Sequence, residues 1–282
     1  MSLLSATISS KKAATVLRYT VAVSIGLALV FPLLYLLSES LMSATDAIAS
    51  PPHLLPPTMH WDNFSKALRF LSLRTIVNSF VFTLGVLVLQ MSLSLCAGFA
   101  LAKIPFRGAA FLVVLFIIPM FLPSNVSVIP LFVVTFKLHL VNTYAGLILP
   151  IVGSTAFGTL LFRQFFVTLP SGLIDAARLD GAGWFRVLWS VVLPLAKPAM
   201  AAYSVITFLT AWNMYIWPQI VATSKNLQVV PVALAPLARS SYNIVSPSVG
   251  AAAAVLSALP VVLVFLIGQR WFINGVSGTG LE

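Results

Sequence analysis

Long apolar runs separated by short polar stretches dominate the chain. A helix needs about 20 apolar residues to cross the roughly 30 Å hydrocarbon core of a bilayer. Six stretches reach that length, at Tyr19–Leu41, Thr75–Ala102, Ala109–Phe136, Tyr144–Phe166, Ala199–Thr223 and Val249–Gln269. The pattern predicts an all-α, polytopic membrane protein with six transmembrane helices.

The third apolar stretch is the least regular of the six. Pro119, Pro123 and Pro130 interrupt it, and each proline removes a backbone donor from the helix. Breaks of this kind survive in a membrane only where protein or water satisfies the freed backbone groups. We therefore expect this stretch to border protein or a water-filled path.

Composition supports a membrane location. Hydrophobic residues make up 60% of the chain, charged residues only 8%, and the mean hydropathy is +1.04. Soluble domains carry about 25% charged residues, so this chain has too few to cover a water-soluble globule. The single cysteine, Cys96, excludes a disulfide within the chain.

The net charge of +10 is best explained by topology. The Lys and Arg residues lie at the ends of apolar runs and form no stripe with aromatic residues, which argues against nucleic-acid binding. With the N-terminus inside, ten cations fall on the cytoplasmic side and six outside, as the positive-inside rule requires. We predict a cytoplasmic segment at 1–18, a permease domain at 19–270 and a cytoplasmic tail at 271–282.

Two loops stand out by their size. The outer loop, Ser43–Arg74, is rich in proline and then becomes amphipathic around Trp61, Phe64 and Leu68. This pattern is typical of a helix at the membrane surface, with Trp61 as an anchor. The other is an inner loop at about 167–198.

Motifs for bound nucleotide, metal or covalent catalysis are absent from the sequence. There is no glycine-rich Walker motif, so the chain is not expected to hold ATP. His53, His60 and His139 lie in loops without metal-ligand spacing, and no serine lies in a nucleophile-elbow motif. No carboxylate lies mid-span, which weakens a proton-coupled mechanism, although sodium coupling through backbone carbonyls remains open.

The 167–198 loop predicts two short helices joined by a sharp turn. Ser171 is a plausible N-cap of the first helix and Gly181 a plausible stop. The second helix is expected at about Trp184–Val192, ending before Pro194. Asp180 either offers charge to a partner or caps the second helix. Periodicity alone leaves two interpretations, an amphipathic loop resting on the membrane and a rigid lever between the bundle and a soluble motor.

The residue string in this loop resembles the signature loop of bacterial ATP-binding-cassette importer permeases. That signature reads E-A-A-x-x-D-G-A, with a downstream L-P and a further proline. Here it stands as Asp175-Ala-Ala-Arg-Leu-Asp180-Gly181-Ala182, then Leu193-Pro194 and Pro198, with Asp175 replacing the usual glutamate. Flanking strings, such as those at 144–150, 161–166, 211–218 and 269–275, resemble the carbohydrate and glycerol-phosphate branch of these permeases.

The resemblance implies a complex in the bacterial cytoplasmic membrane. Its other parts would be a second homologous permease, two ATPase subunits that bind ATP and Mg²⁺, and an extracytoplasmic solute-binding protein. The chain itself would hold no cofactor and catalyse no reaction. The residues implied in ATPase coupling are Asp175, Ala176, Ala177, Asp180, Gly181, Ala182, Leu193 and Pro194.

Polar and aromatic residues within the apolar stretches are candidates for the solute path. Such residues are costly in a membrane unless they face protein or water. The candidates are Asn125, Ser127, Asn213, Tyr215 and Trp217, for which helix packing is the alternative role. Because no Lys or Arg lies mid-span, a sugar or polyol is the favoured solute. Glycerol 3-phosphate or a glycerophosphodiester is the alternative, and a secondary transporter, a membrane scaffold or an integral enzyme are the rival classes.

Overall fold

The fold is all-α in a computed structural model that describes residues 2–239 and 245–277, with side chains at 15–123, 126–237 and 245–269. The α-helices are α1 Ser2–Ser40, α2 Asp62–Leu71, α3 Leu73–Lys103, α4 Ala109–Ile117, α5 Val128–Lys137, α6 Tyr144–Val152, α7 Ala156–Thr168, α8 Ser171–Leu179, α9 Trp184–Val187, α10 Leu193–Leu195, α11 Lys197–Trp212, α12 Ile216–Val221, α13 Val230–Arg239 and α14 Pro247–Ser277. No strand occurs in the described ranges, which agrees with the predicted class.

Within the part of the chain that the structure describes, three helices are long and apolar enough to cross a membrane without interruption. They are Thr15–Ser40 within α1, Leu73–Lys103, and Pro247–Gln269 within α14. Two further bent pairs, α6 with α7 and Trp184–Leu195 with α11, raise the number to as many as five. Six crossings and cytoplasmic termini therefore remain predictions. Residues 278–282 of the predicted tail lie outside the described residues.

The fourth and fifth predicted spans are not single helices. In the fourth, α6 and α7 meet at a 47° bend across Gly153, Ser154 and Thr155. Glycine and serine are weak helix formers, and Pro150 lies just before the break. The fifth ends its first helix at Trp212 and resumes as α12 at Ile216.

The third predicted span is also discontinuous, as its prolines indicated. Helix α4 passes into a 3₁₀ turn at Ile118–Phe121, a second turn covers Ser124–Ser127, and α5 begins at Val128. Pro119 and Pro123 lie in and between these turns, where a missing backbone donor is least costly.

The chain forms two compact units, one of which comprises Met1–Phe70 and Leu237–Leu256. In this unit, the predicted amphipathic helix of the outer loop is α2. The Asn63 amide donates to the carbonyls of Ser40 and Met42 at 3.0 and 2.9 Å, so α2 caps the end of α1. Lys66 lies 2.6 Å from Asp62 and lowers the pKa of that carboxyl through a hydrogen bond.

The other unit, Leu71–Pro236 with Ser257–Glu282, is organised around α3. One face of α3 carries a buried polar stripe, which includes Asn78, Ser79, Thr83, Gln90 and Ser94. Near its start, the Asn78 amide donates to the carbonyls of Asn226 and Gln228 at 3.0 and 2.9 Å. Asn78 thus supplies donors to irregular backbone at this end of the stripe.

Candidate functional site

The 167–198 loop contains a helix with a fully hydrogen-bonded end. Helix α8 stops at Leu179, and Gly181 follows with a φ of +79°, a conformation that favours glycine. The Gly181 N–H donates to the Arg178 carbonyl at 3.1 Å, and the Ala182 N–H donates to the Ala177 carbonyl at 3.0 Å. These two bonds form a Schellman motif, so Gly181 ends the helix as predicted.

Two details of the predicted capping are wrong. Ser171 is the first residue of α8 rather than its N-cap, because Pro170 holds that position. Proline fixes its own φ and offers no side-chain acceptor. Asp180 is the C-cap of α8, and Gly183, in an extended conformation, precedes α9. Asp180 therefore does not cap the second helix.

The second helix also continues further than predicted. After α9 the chain forms a π-helical turn at Leu188–Val192 and then continues through Pro194 to Leu195. Proline lacks an N–H, and its ring clashes with the carbonyl four residues earlier. The wider π-turn directly before Pro194 makes room for that ring, and an 81° bend at Ala196 then leads into α11.

The predicted coupling residues divide into exposed and inward-facing sets. Asp175, Ala176, Asp180, Gly181 and Pro194 are exposed. Ala177, Ala182 and Leu193 are half-buried or buried and pack in one apolar cluster with Ile174 and Val187. The exposed set is available to another protein, whereas the inward set fixes the loop against its own unit.

Further contacts hold this loop in place. The Lys103 ammonium donates to the Leu169 carbonyl at 2.7 Å, at the end of α7. The Arg178 guanidinium donates to the Ala182 carbonyl at 3.0 Å and lies 4.5 Å from the centre of the Trp184 ring. The two helices and their turn therefore form a braced element rather than a loose amphipathic loop.

A cavity of about 910 Å³ lies within the unit that α3 organises. Its walls come mostly from the discontinuous third, fourth and fifth segments, including Pro119, Pro150 and Ser154, and α3 adds Val86 and Gln90. The fifth contributes a helical face with Tyr203, Thr207 and Thr210. Irregular backbone thus borders an open volume, as membrane energetics require. No charged side chain lines the cavity among the described residues.

Four of the five predicted path residues line this cavity, namely Ser127, Asn213, Tyr215 and Trp217. Asn125 lies outside the residues whose side chains are described. The Asn213 amide nitrogen donates to the Leu209 carbonyl at 2.9 Å, and its side chain is exposed. Trp217 is 2% exposed, and its indole N–H donates to the Leu147 carbonyl at 3.0 Å. Its polar group therefore serves packing.

Sequence reasoning missed Gln90 and Tyr203. Both line the cavity, and both are buried, at 8% and 2% exposure. The signal was present, because Gln90 is the only amide side chain between Asn78 and Lys103 in the second apolar stretch. A long polar side chain in the middle of an apolar span marks a protein-facing position.

Among residues that the structure describes, no group of three or more His, Cys, Asp or Glu side chains could hold a metal ion.

Residues 94–278 match the family described as "Binding-protein-dependent transport system inner membrane component". The chain is 35% identical over 265 residues to the sn-glycerol-3-phosphate transport system permease protein UgpE of Rhizobium meliloti (strain 1021), covering 89% of this chain and 91% of that protein. It is 34% identical to UgpE of Brucella abortus (strain 2308), covering 88% and 91%. It is 32% identical to UgpE of Yersinia pestis bv. Antiqua (strain Antiqua), covering 89% and 91%.

The fold is also similar to the crystal structure of a bacterial ABC transporter involved in the import of the acidic polysaccharide alginate. The TM-score is 0.84 at 23% sequence identity, covering 93% of this chain and 98% of that chain. At this identity the likeness establishes the fold alone, and it agrees with the all-α polytopic class.

These comparisons confirm the resemblance seen in the sequence and the multi-pass inner-membrane location. The relatives are transport-system permease proteins, so the chain is a non-catalytic transport subunit. Membership of this family implies a complex with ATPase and solute-binding components. The chain belongs to the family of binding-protein-dependent transport system inner membrane components, as a permease subunit of an ATP-binding-cassette importer.

Proposed function

We propose that this chain forms half of the membrane pore of a sugar or polyol importer. The other half is a second homologous permease, two ATPase subunits bind ATP and Mg²⁺, and a solute-binding protein delivers the cargo from outside. The braced 167–198 loop carries this proposal, because the small residues Ala176 and Gly181 are exposed on an element whose other side packs in the apolar cluster of its own unit.

The exposed residues of this loop form the ATPase contact. Ala176 and Gly181 allow close backbone approach, since neither carries a side chain beyond Cβ. Apart from Gly181 and its two chain neighbours, no atom of the described residues lies within 4 Å of the position that a Cβ on Gly181 would occupy. Asp175 and Asp180 are exposed carboxylates without an ion pair among the described residues. Ala177, Ala182 and Leu193 act from behind by fixing the helix to the apolar cluster.

The cavity carries the solute. Its polar surface consists of hydroxyl and amide groups, with Tyr215 and Trp217 adding aromatic faces. Such groups suit the hydroxyls and apolar ring faces of sugars. A phosphate would gain most from a cation or a helix N-terminus, and no cation lines the cavity among the described residues.

A second candidate cargo is sn-glycerol 3-phosphate, because the UgpE relatives bear that name and match nearly the whole chain. In that case the partner permease or the binding protein supplies the charge for the phosphate. A glycerophosphodiester would also need another component to supply a positive charge for its phosphate.

The ATPase contact is tested by varying side-chain size at Ala176. Unlike Ala177, it is exposed, so a large residue there leaves the apolar cluster intact. We expect Ala176→Trp to abolish uptake and recovery of the ATPase with the tagged chain in mild detergent, and Ala176→Ser, the matched small substitution, to retain both. Uptake and recovery unchanged by Ala176→Trp would exclude this surface as the contact.

The cargo is tested by uptake into vesicles that contain the complete complex. Radiolabelled maltose, glycerol, sn-glycerol 3-phosphate and glycerophosphocholine form the panel. We expect ATP-dependent uptake of maltose or glycerol that an ionophore leaves intact. Uptake confined to the phosphate-bearing compounds would select the second candidate. Uptake by this chain alone, abolished by the ionophore, would favour a secondary transporter.

A further inference from the structure

The break between α6 and α7 is held by side chains of α3. Gln90 Nε2 donates to the Ile151 carbonyl at 2.8 Å and to the Ser154 carbonyl at 3.4 Å. One turn further along α3, the Ser94 hydroxyl donates to the Thr155 carbonyl at 3.5 Å. The Ile151 and Thr155 carbonyls also accept backbone N–H groups, from Ser154 at 3.1 Å and from Thr159 at 2.9 Å. Gln90 and Ser94 therefore add bonds that connect the backbone of the break to α3.

Tyr203, on α11, completes this arrangement. Its hydroxyl donates to Gln90 Oε1 at 3.4 Å. Its ring packs against Phe157 and Phe162, with centroid distances of 6.3 and 5.2 Å. A Cβ added at Gly158 would come within 2.6 Å of the Tyr203 ring and hydroxyl, so α7 encloses the ring closely. Tyr203 therefore has little freedom to move without moving α7.

Aromatic contacts connect Tyr203 to the 167–198 loop. Between ring centroids, Trp184 of the loop lies 6.2 Å from Phe99, and Phe99 lies 6.1 Å from Phe166. Phe166 in turn lies 6.1 Å from Phe162, which contacts Tyr203. These rings lie in or against one buried cluster with the inward residues of the loop. Interiors this well packed transmit displacement rather than absorb it.

The backbone provides a second, shorter connection. Helix α11 begins at Lys197, directly after the bend that ends the loop, and Tyr203 lies six residues along it. At 1.5 Å per residue this is about 9 Å along the helix axis. Among the described residues, Tyr203 is the member of the buried cluster that also lines the cavity.

We propose that Gln90 and Tyr203 are positioning residues that carry displacement of the 167–198 loop to the cavity wall at the α6–α7 break. This proposal rests on the proposed function, since the loop moves only if an ATPase moves it. Both amide atoms of Gln90 already have protein partners. Its role is therefore to hold the break in register with α11, and solute binding falls to other groups of the cavity.

The test uses the complete transporter in proteoliposomes, with the maltose and sn-glycerol 3-phosphate of the uptake panel as probes. Tyr203→Phe deletes only the hydroxyl, and Gln90→Met deletes the amide at similar length. Ser204→Ala is the matched control, because it removes a hydroxyl on α11 whose 2.7 Å bond goes to Met200 of the same helix. The measured quantity is ATP hydrolysed per solute imported.

We expect each of the two variants to raise this ratio at least about fivefold, the lower end of coupling between distant sites. The double variant is expected to match either single one, because both interrupt the same link. Ser204→Ala should keep the wild-type ratio. A variant that merely lowers the amount of folded complex reduces hydrolysis and uptake together and leaves the ratio unchanged.

Different results refute different claims. Wild-type complexes without ATP-driven uptake would refute the proposed function, and this inference with it. Coupled wild-type uptake with unchanged ratios in both variants would refute this inference alone, as would a double variant with the product of the two single effects. A measurement without variants is amide hydrogen exchange at residues 153–156 of the wild-type complex. Exchange there must change when a non-hydrolysable ATP analogue binds, and identical exchange would also refute the inference.

Discussion

The close approach of α3 and α7 at Gly98 gives a prediction about stability. A Cβ added at Gly98 would lie 2.9 Å from each of three atoms, namely the Arg163 nitrogen, Phe162 Cβ and the Thr159 carbonyl oxygen. Two of these are backbone atoms of α7, which cannot rotate away. Gly98→Ala therefore has to push the two helices apart by several tenths of an ångström or more, because ordinary contacts begin near 3.4 Å.

Two opposing effects set the size of the change in the free energy of unfolding on Gly98→Ala. Overpacking a close-packed interior costs about 1–3 kcal/mol. Replacing glycine by alanine inside a helix raises the free energy of unfolding by up to about 1 kcal/mol through helix propensity. Gly26→Ala in α1 is the matched control, since it gains the same helix propensity and nothing lies within 4 Å of the added Cβ. The difference between the two variants thus isolates the overpacking cost.

The free energy of unfolding can be compared by titrating SDS into detergent micelles that hold the purified chain and following tryptophan fluorescence. We expect Gly98→Ala to be less stable than Gly26→Ala by about 1–3 kcal/mol. Equal stability of the two variants, within a few tenths of a kcal/mol, would show that α3 and α7 are not in this close contact.

Three further predictions concern the loop, the buried amide of α3 and the cavity wall. Gly181→Ala should lower the free energy of unfolding by about 1–2 kcal/mol, because alanine is strained at a left-handed φ, and should reduce uptake. Gly183→Ala, at a φ of −68° and with open space around it, should leave uptake unchanged. Asn78→Ala leaves two carbonyls without their donor and should lower the free energy of unfolding by about 1–3 kcal/mol, measured by the same titration. Trp217→Phe removes the bond to Leu147 and should cost about 1 kcal/mol while the solute concentration for half-maximal uptake stays constant. A large change in that concentration would mean that the indole N–H binds solute.

The turn within the 167–198 loop could be predicted because its determinants are local. A glycine after an apolar-periodic stretch predicts a left-handed helix end, and Gly181 has that conformation. Ser171 was predicted to be the N-cap, but it is the first residue of the helix and Pro170 is the N-cap. Serine is a common N-cap and proline is not, so the sequence favoured the wrong residue of the two. The π-turn before Pro194 depends on packing in the apolar cluster, which no local pattern specifies.

The breaks in the fourth and fifth apolar stretches could not be predicted from hydropathy. Averaged over 20 residues, Tyr144–Phe166 has the signal of one helix, although its backbone bends at Ser154. Gln90, more than 60 residues earlier in the sequence, donates to two carbonyls at this bend. A break and its distant donor have to be recognised together, because either one alone appears unfavourable in a membrane.

The polar groups of this permease and its lack of mid-span charges have one physical explanation. A transporter that draws energy from ions needs ionisable or ion-binding groups within the membrane. A transporter driven by a separate ATPase needs instead a rigid point of attachment and backbone that can bend near the solute. In the function that we propose, the braced helix α8 meets the first need. The breaks beside the cavity meet the second, and Gln90 donates to the backbone of one of them. Under that proposal the buried amide of Gln90 serves the mechanics of coupling and not recognition of the solute, because both of its polar atoms already have protein partners.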